Sequence, residues 1–227
     1  IDIHGGGRDL IFPHHENEIA QSESVTGKTF AHHWFHIAHL MVEGQKMSKS
    51  LGNLYTLSDL AERGYQPQEI RYLLLSGNFR QPLNFTFDSL GAAQKAISKL
   101  TDFASKFEFE YASCSPLKSE FGPFHAVQEA LLEDLNTPEA LGRLFRLVRE
   151  LTDAWNRGEF KGQGSKIISV HEGFQSCLDA FGLIVQGKKE EPLEVPSDIQ
   201  ELAQKRWQAK AEKNWAVADQ LRDKLLK

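Results

Sequence analysis

Apolar and polar positions alternate at the start of the chain. Ile1 and Ile3 flank Asp2 and stop at His4, which predicts the end of a buried strand over residues 1–4. Gly5, Gly6 and Gly7 then permit a tight turn and a close approach of backbone to a ligand. Pro13 suits the first turn of a helix running to about Ser24, because its φ is preset and it has no N–H to satisfy. Residues 26–28 read as a turn, and 30–42 as a short helix followed by a strand. The polar stretch 44–53, bracketed by Gly44 and Gly52, reads as a loop. Beyond it the spacing turns helical. Ser58 is the expected N-cap of a helix over 59–63. Pro67 opens the next helix, with Ile70, Leu73, Leu74 and Gly77 on one face. Residues 87–107 carry Leu90, Ala93, Ile97, Leu100 and Ala104 at helical intervals, and 124–134 and 138–157 repeat the pattern. After a loop at 158–164, a further helix covers 167–181. A Lys/Glu/Pro-rich linker at 186–196 leads to a helical hairpin over 197–227, broken near Asn214. The expected architecture is mostly α: a small α/β part, a helix bundle and a tethered helical pair.

Composition narrows the class. Hydrophobic residues make up 41% and charged residues 25% of 227, the balance of a globular domain. No apolar run approaches the ~20 residues that span a bilayer, so no membrane association and a cytoplasmic location are expected. A strand that begins at Ile1, without an initiator Met, looks like a cut through a folded domain. Cys114 and Cys177 stand far apart, which argues against a disulfide framework. The net charge of −5 argues mildly against a dedicated nucleic-acid binder. The last thirty residues differ. From Ser197 onward seven Lys and Arg face five Asp and Glu, so this stretch has a positive balance suited to phosphate. Trp207 and Trp215 are expected to pack the two helices of the hairpin together.

Three constellations carry candidate chemistry. In His14-His15-Glu16-Asn17-Glu18, His14 and Glu18 are four apart and share one face of a helix. Imidazole and carboxylate are both competent zinc ligands. On spacing alone, a helix N-terminus whose acids face the macrodipole accounts for them better. In Lys46-Met47-Ser48-Lys49-Ser50, two lysines on a Gly-flanked loop can bring ammonium groups onto a polyphosphate as charge develops there. In His4-Gly5-Gly6-Gly7-Arg8-Asp9, a strand end, glycines and an acid match the way nucleotide ribose is often held, and a plain turn matches equally well.

In this order the segments resemble one family. HGGGRDLIFPHHENEIAQS is similar to the block that distinguishes cysteinyl-tRNA synthetases among class I aminoacyl-tRNA synthetases. GQKMSKSLGN contains the class I KMSKS pentapeptide. Arg71 to Gly77 with Leu83-Asn84-Phe85 resembles the helical connection that follows, and DLNTPEA at 134–140 the family's bundle motif. Arg206, Ala209, Lys210, Lys213, Trp215, Ala218, Asp219 and Arg222 fit its C-terminal hairpin. The resemblance covers nearly the whole chain.

The resemblance implies a remnant of a Rossmann-type catalytic domain over 1–43, the KMSKS loop and connecting helices over 44–85, a helical bundle over 86–190 and the start of an anticodon-binding region over 197–227. It implies ATP- and magnesium-dependent ligation of cysteine to tRNA(Cys) by a monomer, with the HIGH half of the site upstream and this piece inactive by itself. His14 and Glu18 would be two zinc ligands, the other two being upstream cysteines. Gly6, Gly7 and Asp9 would hold the adenosine, His4 would line the aminoacyl pocket, and Lys46 and Lys49 would stabilise pyrophosphate release. Zinc would favour the thiolate of cysteine over the hydroxyl of serine, a distinction that shape makes poorly. The alternatives are the related cysteine ligase of mycothiol synthesis and a non-catalytic tRNA-binding helical module. The basic hairpin favours the synthetase over the first.

Overall fold

A computed structural model describes residues 1–111, 121–185, 197–211 and 215–225. The chain divides into two units, Ile1–Lys188 and Lys189–Lys227.

The first unit opens with strand β1 (Ile3–Gly7), a turn, helix α1 (Glu16–Thr26) and strand β2 (His33–Ile37). β1 and β2 pair in parallel, Ile3 opposite His33 and Gly7 opposite Ile37. The glycines therefore belong to the strand, where a turn was expected, and Ile3 is exposed where a buried strand was expected. Phe12 has extended backbone, and Pro13 begins the helical turn that leads into α1. Residues 30–42 hold two strands in different sheets. β2 is followed by β3 (Leu40–Val42), with no helix before them.

β3 is the centre of a three-stranded sheet. It pairs antiparallel with β4 (Gln45–Lys46) across a two-residue turn, in which Glu43 and Gly44 both have positive φ, and parallel with β5 (Leu83–Phe85). Such turns match the twist of the flanking strands. The stretch expected to be a loop thus contains a strand, and Leu83–Phe85 is a strand, not part of a helical connection. Helix α2 (Leu57–Glu62) is capped by Thr56, not Ser58. Thr56 and Asp59 form a reciprocal capping box, with the Thr56 N–H donating to Asp59 Oδ2 at 2.7 Å and the Asp59 N–H to Thr56 Oγ1 at 3.2 Å. Helix α3 (Pro67–Leu75) buries Ile70 and Leu73 but leaves Leu74 half exposed, and Gly77 lies beyond its end. Consecutive residues on a helix point 100° apart, so Leu73 and Leu74 cannot both face one core.

Val42, Leu60, Ile70, Leu73 and Phe85 form one core with Leu90 and Ala93 of α4 (Phe87–Tyr111). Further along, the same helix contributes Leu100, Phe103, Ala104 and Phe107 to a second core. That core is completed by α5 (His125–Leu132), α6 (Thr137–Asn156) and α7 (Gly164–Phe181), with Phe124, Leu144, Cys177 and Phe181 at most 1% exposed. Tyr72 of α3 packs against both cores. Between α5 and α6, Asp134 and Leu135 both adopt φ 52°, a costly conformation for side-chain-bearing residues. Arg80 holds this turn with a two-pronged bond to the Asp134 carboxylate, at 2.5 and 2.7 Å.

The second unit is a hairpin of α8 (Ser197–Ala211) and α9 (Trp215–Leu225). Trp207 and Trp215 are 72% and 61% exposed, which corrects the expectation that they join the helices. Ala209 is buried on α8, and Leu202 and Leu221 are partly buried, so smaller side chains supply the packing.

Candidate active site

Strand alternation sorts β1 and β2 into two faces. One face carries Phe35, which stacks on Phe79 at 4.7 Å. The other carries His4, Trp34 and His36 and receives the turn before α1. His4 and Trp34 meet edge to face at 4.9 Å, and Trp34 lies parallel to His36. Into this aromatic floor drops His15, 4% exposed, with its ring about 5 Å from those of His4, Trp34 and His36. Gly6 makes that possible, because a Cβ there would sit 2.9 Å from His15 Cε1. His15 Nδ1 and His36 Nε2 share a 2.8 Å hydrogen bond. Burial, reinforced by His36 and His4, pulls the His15 pKa below the ordinary histidine value, with Glu18 opposing.

Glu18 reaches the same place from the first turn of α1. Its Oε2 lies 2.9 Å from His4 Nε2, and its Oε1 lies 3.7 Å from His14 Nε2. The His14–Glu18 pairing follows from their i,i+4 spacing. The structure adds what spacing did not show: His4, His15 and Glu18 each present a ligand atom within 4.8 Å of the others. The signal available for His36 is its place two residues after Trp34, in a segment whose expected strand follows a short helix.

Asp9 lies just past the end of β1, its Oδ1 3.8 Å from His39 Nε2. Lys46 is on β4, in the other sheet, and exposed. The loop after it is pinned by Asn53, which accepts from the Ser48 N–H at 2.9 Å and donates to the Lys46 carbonyl at 3.2 Å. Lys49 begins a short 3-10 turn, and its side chain lies outside the described residues. So does Cys114.

Family models match two segments: "tRNA synthetases class I (C) catalytic domain" over residues 1–95 and "DALR domain" over residues 126–186. The Cysteine--tRNA ligase of Opitutus terrae is 47% identical over 225 residues, 99% of this chain and 45% of that protein. That of Solibacter usitatus is 45% identical, covering all of this chain and 49% of its own length. Along its whole length the chain is similar to cysteine–tRNA ligases. It spans about half the length of the curated relatives it matches. The fold is also that of larger class I enzymes. The Agrobacterium radiobacter K84 LeuRS in its complex with tRNA and LeuAMS aligns with a TM-score of 0.60 at 14% identity, over 80% of this chain and 25% of that one. Mycobacterium tuberculosis methionyl-tRNA synthetase with methionyl-adenylate aligns at 0.54 and 17%, over 79% and 40%. The matched catalytic-domain segment, residues 1–95, contains both the sheet bearing His4 and the loop after Lys46. Among the described residues no helix is long and apolar enough to cross a membrane.

Proposed function

We propose that this chain serves the ATP-dependent ligation of cysteine to tRNA(Cys) through a cysteinyl-adenylate. The observation that carries the reading is the 47% identity to a cysteine–tRNA ligase across 99% of the chain. Gly6, Gly7 and Asp9, at the carboxyl end of a parallel strand, hold the adenosine. His4 lines the aminoacyl pocket, its ring fixed by Glu18. Lys46 and Lys49 would stabilise the charge that grows on the phosphates of ATP as pyrophosphate leaves, and magnesium would supply further positive charge there. The exposed Lys205, Lys210 and Lys224 of the hairpin approach the tRNA anticodon stem.

The donor atoms of His14 and Glu18 fit zinc. Two ligands of one tetrahedral zinc stand about 3.4 Å apart for bonds of ~2.1 Å, and these stand 3.7 Å apart. When bound, zinc supplies a soft Lewis-acid contact that prefers a thiolate to a hydroxyl. The His4 bond to the other Glu18 oxygen fixes the carboxylate plane, as partners of metal ligands commonly do.

The test is cysteine-dependent ATP–pyrophosphate exchange and tRNA charging by the full-length protein. His14→Ala should lose bound zinc and the preference for cysteine over serine together. Lys46→Ala should slow adenylate formation on the order of 100-fold while barely changing cysteine binding. Deleting 197–227 should weaken charging and spare exchange. Exchange that accepts serine as readily as cysteine, or none at all, overturns the proposal.

A further inference from the structure

β1 and β2 run parallel and end together, Gly7 opposite Ile37. The next residues are Arg8 and Asp9 on one strand and Ala38 and His39 on the other. Ligands of parallel sheets gather at this carboxyl end. Arg8 is committed elsewhere, its Nη1 donating to the Arg80 carbonyl at 3.3 Å. The Ala38 N–H donates to the Phe79 carbonyl at 2.8 Å. Asp9 and His39 are left facing each other, with Oδ1 and Nε2 3.8 Å apart and side chains 60% and 51% exposed. That separation is too long for a hydrogen bond, yet one oxygen atom placed beside the gap sits about 2.8 Å from both.

Chemistry restricts what that atom can be. The carboxylate only accepts, and in the tautomer that carries its proton on Nε2 the imidazole donates, so a group bridging the two must donate to one and accept from the other. A carbonyl cannot donate and an ammonium cannot accept; a hydroxyl does both. Gly7 belongs to the same arrangement. A Cβ on Gly7 would run into Asp9 Oδ1, so the carboxylate can fold back over the strand end only above a glycine.

We infer that Asp9 and His39 clamp one ribose hydroxyl of the nucleotide, which makes His39 a nucleotide-contact residue. The inference rests on the nucleotide reading of Asp9 given above. The clamp separates ATP from an analogue that lacks the hydroxyl, because without it Asp9 and His39 lose their shared partner.

The test compares ATP, 2′-deoxy-ATP and 3′-deoxy-ATP in equilibrium binding to the full-length protein, using the wild type, His39→Ala, His39→Gln and Asp9→Asn. The wild type should prefer ATP over one of the deoxy analogues by about 10-fold or more, as expected of a charge-assisted hydrogen bond. His39→Ala should remove most of that preference by weakening ATP alone, and His39→Gln, whose amide N–H can still donate, should restore part of it. Unchanged thermal midpoints show that the variants are folded. If His39→Ala keeps the preference and Asp9→Asn loses it, the clamp is wrong and the nucleotide reading of Asp9 stands. If neither variant changes the preference, both are wrong.

Discussion

Replacing Gly6 with alanine tests how the aromatic floor and the histidines are assembled. The new Cβ would lie 2.9 Å from His15 Cε1, 3.0 Å from Leu10 Cδ1 and 3.1 Å from His15 Nε2. Carbon atoms in proper contact stand about 3.5–4.0 Å apart, so a neighbour must move by roughly half an ångström. The strand is held by its parallel partner, and His15 is wedged among three rings and bonded to His36. Overpacking of this kind costs about 1–3 kcal/mol. A chain of this size loses about 2–4 °C in Tm for each kcal/mol. Differential scanning calorimetry should therefore show a clear fall, together with weaker zinc binding, because the displaced ring crowds His4 and Glu18. Gly142→Ala is the control. It lies exposed within α6 with nothing inside 4 Å of the new carbon, and should gain about 0.5–1 kcal/mol from helix propensity. If Gly6→Ala melts with the wild type and binds zinc equally well, His15 does not pack where the structure places it.

Other outcomes follow from the titrating groups. The His15 pKa is depressed, so on acidification the unfolded chain takes up that proton first. The ring's contribution to stability is intact above the ordinary histidine value and declines as pH falls through it toward the lowered one. The stability advantage of wild type over His15→Gln should shrink between about pH 7 and about pH 5 in urea titrations; a constant difference refutes this. Asp134 is held below the ordinary carboxylate value by its hydrogen bond to Arg80, so its contribution is present above that value and is lost as pH falls through the lowered one. Arg80→Met should destabilise at neutral pH and have little effect in strong acid, and an equal effect at both would show that the ion pair is not the cause. Burial pushes the Cys177 thiol up to about 12. In a Cys114→Ser background it should resist iodoacetamide until urea unfolds the chain, and rapid labelling of native protein would contradict its burial.

Long helices were legible because a buried stripe repeats many times. The spacing of Leu90, Ala93, Ile97, Leu100 and Ala104 marks α4, and α6 and α7 were visible in the same way. Short strands were not. β3 and β5 have three residues each, too few to show alternation, and their identity comes from pairing residues 43 positions apart in sequence. Ser58 was a plausible cap by type, but only Thr56 has an acid three residues on that returns the bond. The tryptophans of the hairpin were misplaced because hydrophobicity says that a ring prefers burial, not that a partner is present. At the site, the i,i+4 relation of His14 and Glu18 was readable from local geometry. The gathering of His4, His15 and His36 depends on the register of two parallel strands and on the room left by Gly6, and neither has a local signature.

Helix α4 has a consequence for how this chain can change in length. Its 25 residues form one rod about 37 Å long, and a single stripe on it serves the sheet core near Leu90 and the bundle core near Phe103. A loop can absorb an extra residue by bulging into solvent. One residue inserted between Ala93 and Leu100 would turn everything downstream by about 100° and advance it by about 1.5 Å, carrying Phe103 away from Phe124 and Phe174 and Phe107 away from Trp155 and Phe160. The stripe would realign only after about seven residues, two full turns, with the bundle then displaced by about 10 Å. Insertions and deletions are therefore quantised in this stretch, and the distance between the two cores is set by the residue count of one helix.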